Sequence, residues 1–85
     1  MEIIKTTSFE KECVKLPKTI FILFNKQEKL FEQNHLDSRL HLKHLVNFDG
    51  VYSFRITSRY RCLFYFTNPD SAVFFAIGHR RDIYR

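Results

Sequence analysis

Residues 51–85 read VYSFRITSRYRCLFYFTNPDSAVFFAIGHRRDIYR. Three apolar-rich runs are separated by two short polar connections, and a basic tail closes the segment. Strands send alternate side chains to opposite faces, so the alternation sets the register. In the first run, Tyr52, Phe54 and Ile56 alternate with Ser53, Arg55 and Thr57. In the second, Cys62, Phe64 and Phe66 alternate with Arg61, Leu63 and Tyr65. A two-residue loop at Ser58-Arg59 would set Ile56 opposite Arg61 and mix the faces. A three-residue loop from Ser58 to Tyr60 sets Thr57 opposite Arg61, Arg55 opposite Leu63 and Ser53 opposite Tyr65. That register gathers Tyr52, Phe54, Ile56, Cys62, Phe64 and Phe66 on one wholly apolar face. It is the expected one, because a buried face specifies register. Arg55 and Arg61 then lie close together on the opposite face, with Tyr65 nearby. Asn68-Pro69-Asp70 turns the chain. Ala72 to Gly78 is nearly all apolar, as a central strand is, and His79, Arg80 and Arg81 follow at its end.

Upstream of the strands, Asn34 to Gly50 is a polar connection carrying Arg39, His41, Lys43 and His44, interleaved with Leu40, Leu42 and Leu45. A structureless loop of that length is unusual in a small domain, so the leucines are expected to pin it to the body. Asp49-Gly50 closes it as a turn. Before it, Ile20, Phe24, Gln27 and Phe31 form one helical stripe flanked by Leu23 and Leu30, predicting a helix from about Pro17 to Phe31 or Gln33. Pro17 suits a first helical turn and ends whatever precedes it. A shorter helix carries Phe9, Cys13 and Leu16 on one face, with Ser8 as its expected N-cap. Lys11, three places after Ser8, leaves no capping box. Ile3 and Ile4 build a first strand within Glu2–Thr7.

The chain has 85 residues, 45% of them hydrophobic, with ten phenylalanines and no tryptophan. That is enough for one modest core and one domain, residues 1–85. The formal charge of +5 favours phosphate backbones, anionic surfaces or an acidic protein partner. No apolar run is long enough to span a membrane, and the N-terminus has no signal-peptide layout. Cys13 and Cys62 read as reduced thiols of a cytoplasmic protein rather than as a disulfide. His41 and His44 have a spacing compatible with a metal, but no cysteine or carboxylate clusters with them, so no metal site is expected.

The expected fold is α+β: a strand, two helices and three strands, with a helical hairpin covering one face of an antiparallel sheet. The other face is left polar, basic and partly aromatic. Guanidinium groups grip phosphates and rings stack on bases, so this face suits single-stranded RNA.

Several segments in order are similar to toxins of the RelE/ParE superfamily. Leu16-Pro17 stands between the helices, SRLHLKHL precedes the sheet, and Tyr52 to Ile56 is an aromatic-Ser-aromatic-Arg-Ile strand. Tyr60 to Phe64 is a Tyr-Arg-x-Leu-Phe strand, and Gly78 to Arg85 is a Gly-His-Arg-x-Asp-x-Tyr-Arg ending. The resemblance covers nearly the whole chain, and its strength lies in the ordered combination.

The resemblance implies a toxin of a type II toxin–antitoxin pair, partnered by an acidic antitoxin. Many RelE-like members cleave mRNA on the ribosome without metal or cofactor, by attack of the ribose 2′-hydroxyl on the adjacent phosphate. Cations must then stabilise the developing phosphorane charge, and a proton acceptor and donor are needed. Arg61 matches the arginine that contacts the scissile phosphate, Arg80 the basic residue after the last strand, and Tyr84 a C-terminal tyrosine that stacks or moves a proton. Arg55 matches a basic strand position; apart from the resemblance, Arg55, Arg39, Lys43, Tyr65 and Arg81 are the expected RNA contacts, with Arg39 and Lys43 either non-specific contacts or solvated loop charges. There are departures. Ser53 and Arg55 stand where well-known RelE members have two lysines, and arginine is a poor proton carrier. No glutamate occurs from His35 to Asp70. His79 is the best titratable candidate, because imidazole changes charge near neutral pH. ParE-type members inhibit DNA gyrase and need no catalytic base, so that alternative stays open, as does a toxin homologue that has lost its activity.

Overall fold

The computed structural model describes residues 1–84. In chain order they form β1 (Glu2–Lys5), α1 (Thr7–Cys13), α2 (Lys18–Gln33), β2 (Lys43–His44), β3 (Tyr52–Arg55), β4 (Tyr60–Asn68), β5 (Ser71–His79) and α3 (Arg80–Ile83). The strands make one five-stranded sheet in the order β1-β5-β4-β3-β2. β1 runs parallel to β5, and every other pairing is antiparallel. Arg85, the last residue of the Gly-His-Arg ending, lies outside the described residues.

Local chemistry explains the helix boundaries. Thr6, not Ser8, caps α1: its Oγ1 accepts from the Phe9 amide at 3.1 Å. The extended backbone that an N-cap needs comes directly after β1, and Ser8 is already inside the helix. Pro17 heads α2, its carbonyl accepting from the Ile20 and Phe21 amides at 3.0 Å. The α2 stripe meets the sheet through Phe24 and Phe31, and α1 adds Phe9. These rings and Phe54, Phe64 and Phe74 of the sheet are fully buried. Phe31 sits edge-on to Phe64 and Phe74, with centroids 4.9 and 5.2 Å away. Such geometry adds about 0.5–1.5 kcal/mol per pair beyond the buried area.

The 34–50 connection is pinned as its leucines foretell: Leu40 and Leu45 are buried and Leu42 packs against the core. It is not without structure. Asp37 caps a 3-10 turn at Ser38–Leu40, and β2 follows as a short edge strand on β3.

The β3–β4 register differs from the expected one. Arg55 stands opposite Arg61, and Tyr52 opposite Phe64. The Ile56 amide donates to the Tyr60 carbonyl at 2.9 Å, so the loop is Thr57–Arg59 rather than Ser58–Tyr60. The loop moves back by one residue, so Thr57 leaves β3 and Tyr60 joins β4; the pairing shifts by two, and every side chain keeps its predicted face. In β5, Leu63 faces Ala76 but Phe64 faces Phe74, which leaves Phe75 as the extra residue of a bulge. Phe74 and Ile77 are three apart, and only a bulge lets both enter the core. The basic ending is also more ordered than a tail: α3 turns it back over the sheet.

Candidate functional site

The face of the sheet away from α1 and α2 carries a row of aligned positions, Arg55, Arg61 and Gly78, on β3, β4 and β5. Opposed residues lie about 4.5–5.5 Å apart at Cβ, so two guanidinium stems leave the sheet side by side. Gly78 has no side chain to cover them. Arg61 is braced: its Nη1 donates to the carbonyls of Thr57, Ser58 and Tyr60 at 2.7, 2.9 and 3.2 Å. Burial first, then the Arg55 charge, holds the Arg61 guanidinium below its ordinary pKa; Arg80 adds to this and Tyr84 opposes it. Arg80 and Tyr84 are thus within electrostatic reach of Arg61. Arg55 Nε is buried with no hydrogen-bond partner. Among the described residues, no carboxylate forms an ion pair with Arg55, Arg61 or Arg80.

Two backbone contacts fix this cluster. The Arg80 amide donates to the Arg59 carbonyl at 2.7 Å, docking α3 on the β3–β4 loop. From beneath, Gln27 Nε2 donates to the carbonyls of Arg55 at 2.8 Å and Arg39 at 3.1 Å. Gln27 is the polar member of the otherwise apolar α2 stripe, and that anomaly was its signal in the sequence.

The open face is not uniformly polar, as its alternation had indicated. Beside the arginines lies an apolar pocket of about 260 Å3. Leu63, Phe75 and Ala76 form its floor; Leu45, Phe48 and Val51 come from the connection before β3; Ile83 and Tyr84 come from the ending. Phe75 is there because of the bulge, which periodicity alone does not reveal.

The remaining sequence candidates are spread out. Lys43 pairs with Ser53 and so stands on the same face as Arg55 and Arg61, at the sheet edge. Tyr65 is also on this face, but it packs against Phe75 with centroids 5.7 Å apart. It stands four positions along β4 from Arg61, about 13 Å. Arg39 holds Asp37 in two side-chain bonds of 3.0 and 2.7 Å, and this pairing pulls the Asp37 carboxyl down to about 2. Arg81 is exposed on α3. His79 is apart from the arginines. It pairs with Tyr60, its ring 5.3 Å away and edge-on, and Tyr60 packs against the core side. Its Nδ1 accepts from the Arg81 amide at 3.2 Å, capping α3. Among the described residues, no group of three His, Cys, Asp or Glu side chains could hold a metal ion.

The architecture has close counterparts among solved structures. A YoeB/ParE toxin from Agrobacterium tumefaciens superposes with a TM-score of 0.77 at 13% identity, over 94% of this chain and 99% of that one. The RelB-RelE antitoxin-toxin complex from Methanococcus jannaschii gives 0.76 at 23% identity, over 95% and 94%. The intact E. coli RelBE toxin-antitoxin complex gives 0.72 at 15%, over 92% and 94%. The chain has the RelE/ParE toxin fold. By sequence, no protein-family model matches it, and no curated protein does.

Of the positions that the RelE/ParE resemblance singles out, Arg55, Arg61, Arg80 and Tyr84 converge, while His79 is turned away as a helix cap. No Asp, Glu or His lines the pocket beside the arginines. Among the described residues, this pocket therefore joins cations to one phenol, while Glu12, His79 and Asp82 line an adjoining pocket that shares Phe75, Ala76 and Ile83 with it. Among the described residues, no helix is long and apolar enough to cross a membrane.

Proposed function

We propose that this protein is the toxin of a toxin–antitoxin pair and an endoribonuclease that cuts mRNA on the ribosome in the cytoplasm. The observation that carries this reading is the braced Arg61 with Arg55 opposite it and Arg80 and Tyr84 nearby, a cation group with no ion-pair partner among the described residues. In the reaction the 2′-oxygen bonds to phosphorus and the bond to the 5′-oxygen breaks. The product ends are a 2′,3′-cyclic phosphate and a 5′-hydroxyl. Negative charge grows on the phosphoryl oxygens, and a fixed cation row in a partly desolvated site lowers the barrier to that. Arg61 and Arg80 meet those oxygens, and Arg55 and Lys43 hold the neighbouring phosphates. Tyr84 stacks on a base or passes the proton.

The partner is an acidic antitoxin. Two of the fold's counterparts are antitoxin-toxin complexes by name, and the +5 charge with an arginine face uncompensated among the described residues supports an anionic neutraliser. A second reading is favoured by one feature: among the described residues, no carboxylate or imidazole acts on Arg61. On that reading the same cation face binds DNA gyrase and does no chemistry.

A cell-free translation reaction tests both. The purified chain should create new mRNA ends at defined codons, and Arg61→Ala should slow this by at least ~10²-fold, about 2.7 kcal/mol of barrier. Absence of new ends together with blocked gyrase supercoiling would establish the second reading. Unimpaired growth of cells making soluble, folded protein would overturn the toxin role.

A further inference from the structure

The cations of the site hang on one short loop. The Ile56 and Thr57 amides donate to the Tyr60 carbonyl at 2.9 and 3.4 Å, closing Thr57–Arg59 between β3 and β4. Inside the loop, Thr57 Oγ1 accepts from the amides of Arg59 and Tyr60, each at 3.2 Å. A hydroxyl that bonds two amides ahead of itself fixes a turn that the backbone alone leaves loose. In that shape the Thr57, Ser58 and Tyr60 carbonyls converge on Arg61 Nη1. The Arg59 carbonyl meanwhile holds the Arg80 amide at 2.7 Å.

We infer that Thr57 is a positioning residue for Arg61 and Arg80: its hydroxyl sets the loop that aims both cations. With Nη1 committed to the loop, the Nε and Nη2 edge of Arg61 is left to grip an anion with two donors. Without the hydroxyl, the Arg59 and Tyr60 amides lose an acceptor and the loop relaxes. The carbonyl cage then opens, and Arg61 regains rotamer freedom while keeping its charge. Loss of aim in a group that acts in the transition state falls on kcat more than on KM. This inference rests on the reading of Arg61 and Arg80 as phosphate-handling cations.

Two substitutions isolate the hydroxyl. Thr57→Val keeps the shape and removes the acceptor; Thr57→Ser keeps the acceptor and removes the methyl. The first readout is the Arg61 guanidinium by NMR in the full chain without RNA. Restricted rotation in wild type should resolve the Nη1 and Nη2 signals, Thr57→Ser should keep them resolved, and Thr57→Val should average them. The second readout is mRNA cleavage on translating ribosomes. Thr57→Val should lower kcat about tenfold or more with KM little changed, and Thr57→Ser should stay within about twofold of wild type. Averaged Arg61 signals in wild type, resolved signals in Thr57→Val, or a Thr57→Ser variant as impaired as Thr57→Val would each overturn the inference. If Thr57→Val does not fold, wild type and Thr57→Ser decide it: both must show resolved signals. Because the NMR readout uses no RNA, a wild type that cuts nothing but holds Arg61 rigid refutes the nuclease reading and leaves the loop's role intact.

Discussion

Arg55 and Arg61 stand directly opposite one another on β3 and β4, two like charges paired across the open face of the sheet. Direct like-charge pairs destabilise a sheet by about 0.2–1 kcal/mol. The buried, unpartnered Nε of Arg55 adds to that cost. On the proposed reading, a pair left uncompensated among the described residues is the anion-binding element, and there local stability and function diverge.

Arg55→Gln is therefore expected to raise stability by about 0.2–1 kcal/mol while weakening RNA binding. Removal of one phosphate contact should also flatten the dependence of log affinity on log salt by about one unit of slope. Thermal melts and salt-dependent binding titrations check the two halves separately. Lower stability in this variant would mean that Arg55 is satisfied where it stands.

Tyr84 lies at the junction of the apolar pocket and the arginine group. Tyr84→Phe keeps the ring and removes the hydroxyl, and Tyr84→Ala removes both. If Tyr84 only stacks, Phe retains most activity and Ala loses about 1–3 kcal/mol. If it moves a proton, both are slow in single-turnover cleavage. Because the ring is 42% exposed, neither variant should alter the thermal midpoint by much.

Gln27 joins α2 to the backbone of Arg55 and Arg39 through one amide. Gln27→Leu matches the apolar stripe but leaves the partly buried Arg55 carbonyl without its donor. Loss of such a partner costs about 1–3 kcal/mol, measurable by denaturant unfolding. A variant as stable as wild type would show that water replaces the amide there.

Cys13 tests the packing between the helices. Burial, the dominant cause, raises its thiol from 9.0 to about 11. A raised pKa means that the folded state favours the thiol. Its contribution to stability is whole below about pH 9 and is lost as the pH rises through about 11. Only the thiolate alkylates, so at about pH 8 iodoacetamide should label Cys13 about a hundredfold more slowly than an ordinary thiol. Rapid labelling of the folded protein, read by intact mass, would mean that the α1–α2 junction opens.

Much of the architecture was legible in the residues themselves, because alternation and helical periodicity report which side of an element is buried. The face that holds Tyr52, Phe54, Cys62 and Phe64 survived a register two positions from the expected one, since a shift of two preserves parity. The helix over 18–33 and the leucine pins of the connection were readable on the same grounds. The ordered segments from Leu16-Pro17 to the Gly-His-Arg ending by themselves resemble the RelE/ParE pattern, and the fold agrees with it.

Three features were decided only in three dimensions. The direct Arg55–Arg61 pairing depends on where the β3–β4 loop closes, and Thr57 closes it through its hydroxyl, a bond that no periodicity encodes. The bulge at Phe75 answers the need of Phe74 and Ile77 to share one core; it turns Phe75 outward and builds a pocket from residues far apart in sequence. His79 ends β5 paired with Tyr60, while α3 carries Arg80 and Tyr84, its neighbours in the chain, to within electrostatic reach of Arg61. Sequence spacing sets which side chains share an element, but loop closure, bulges and caps are settled by long-range packing, and these place the charges of the site.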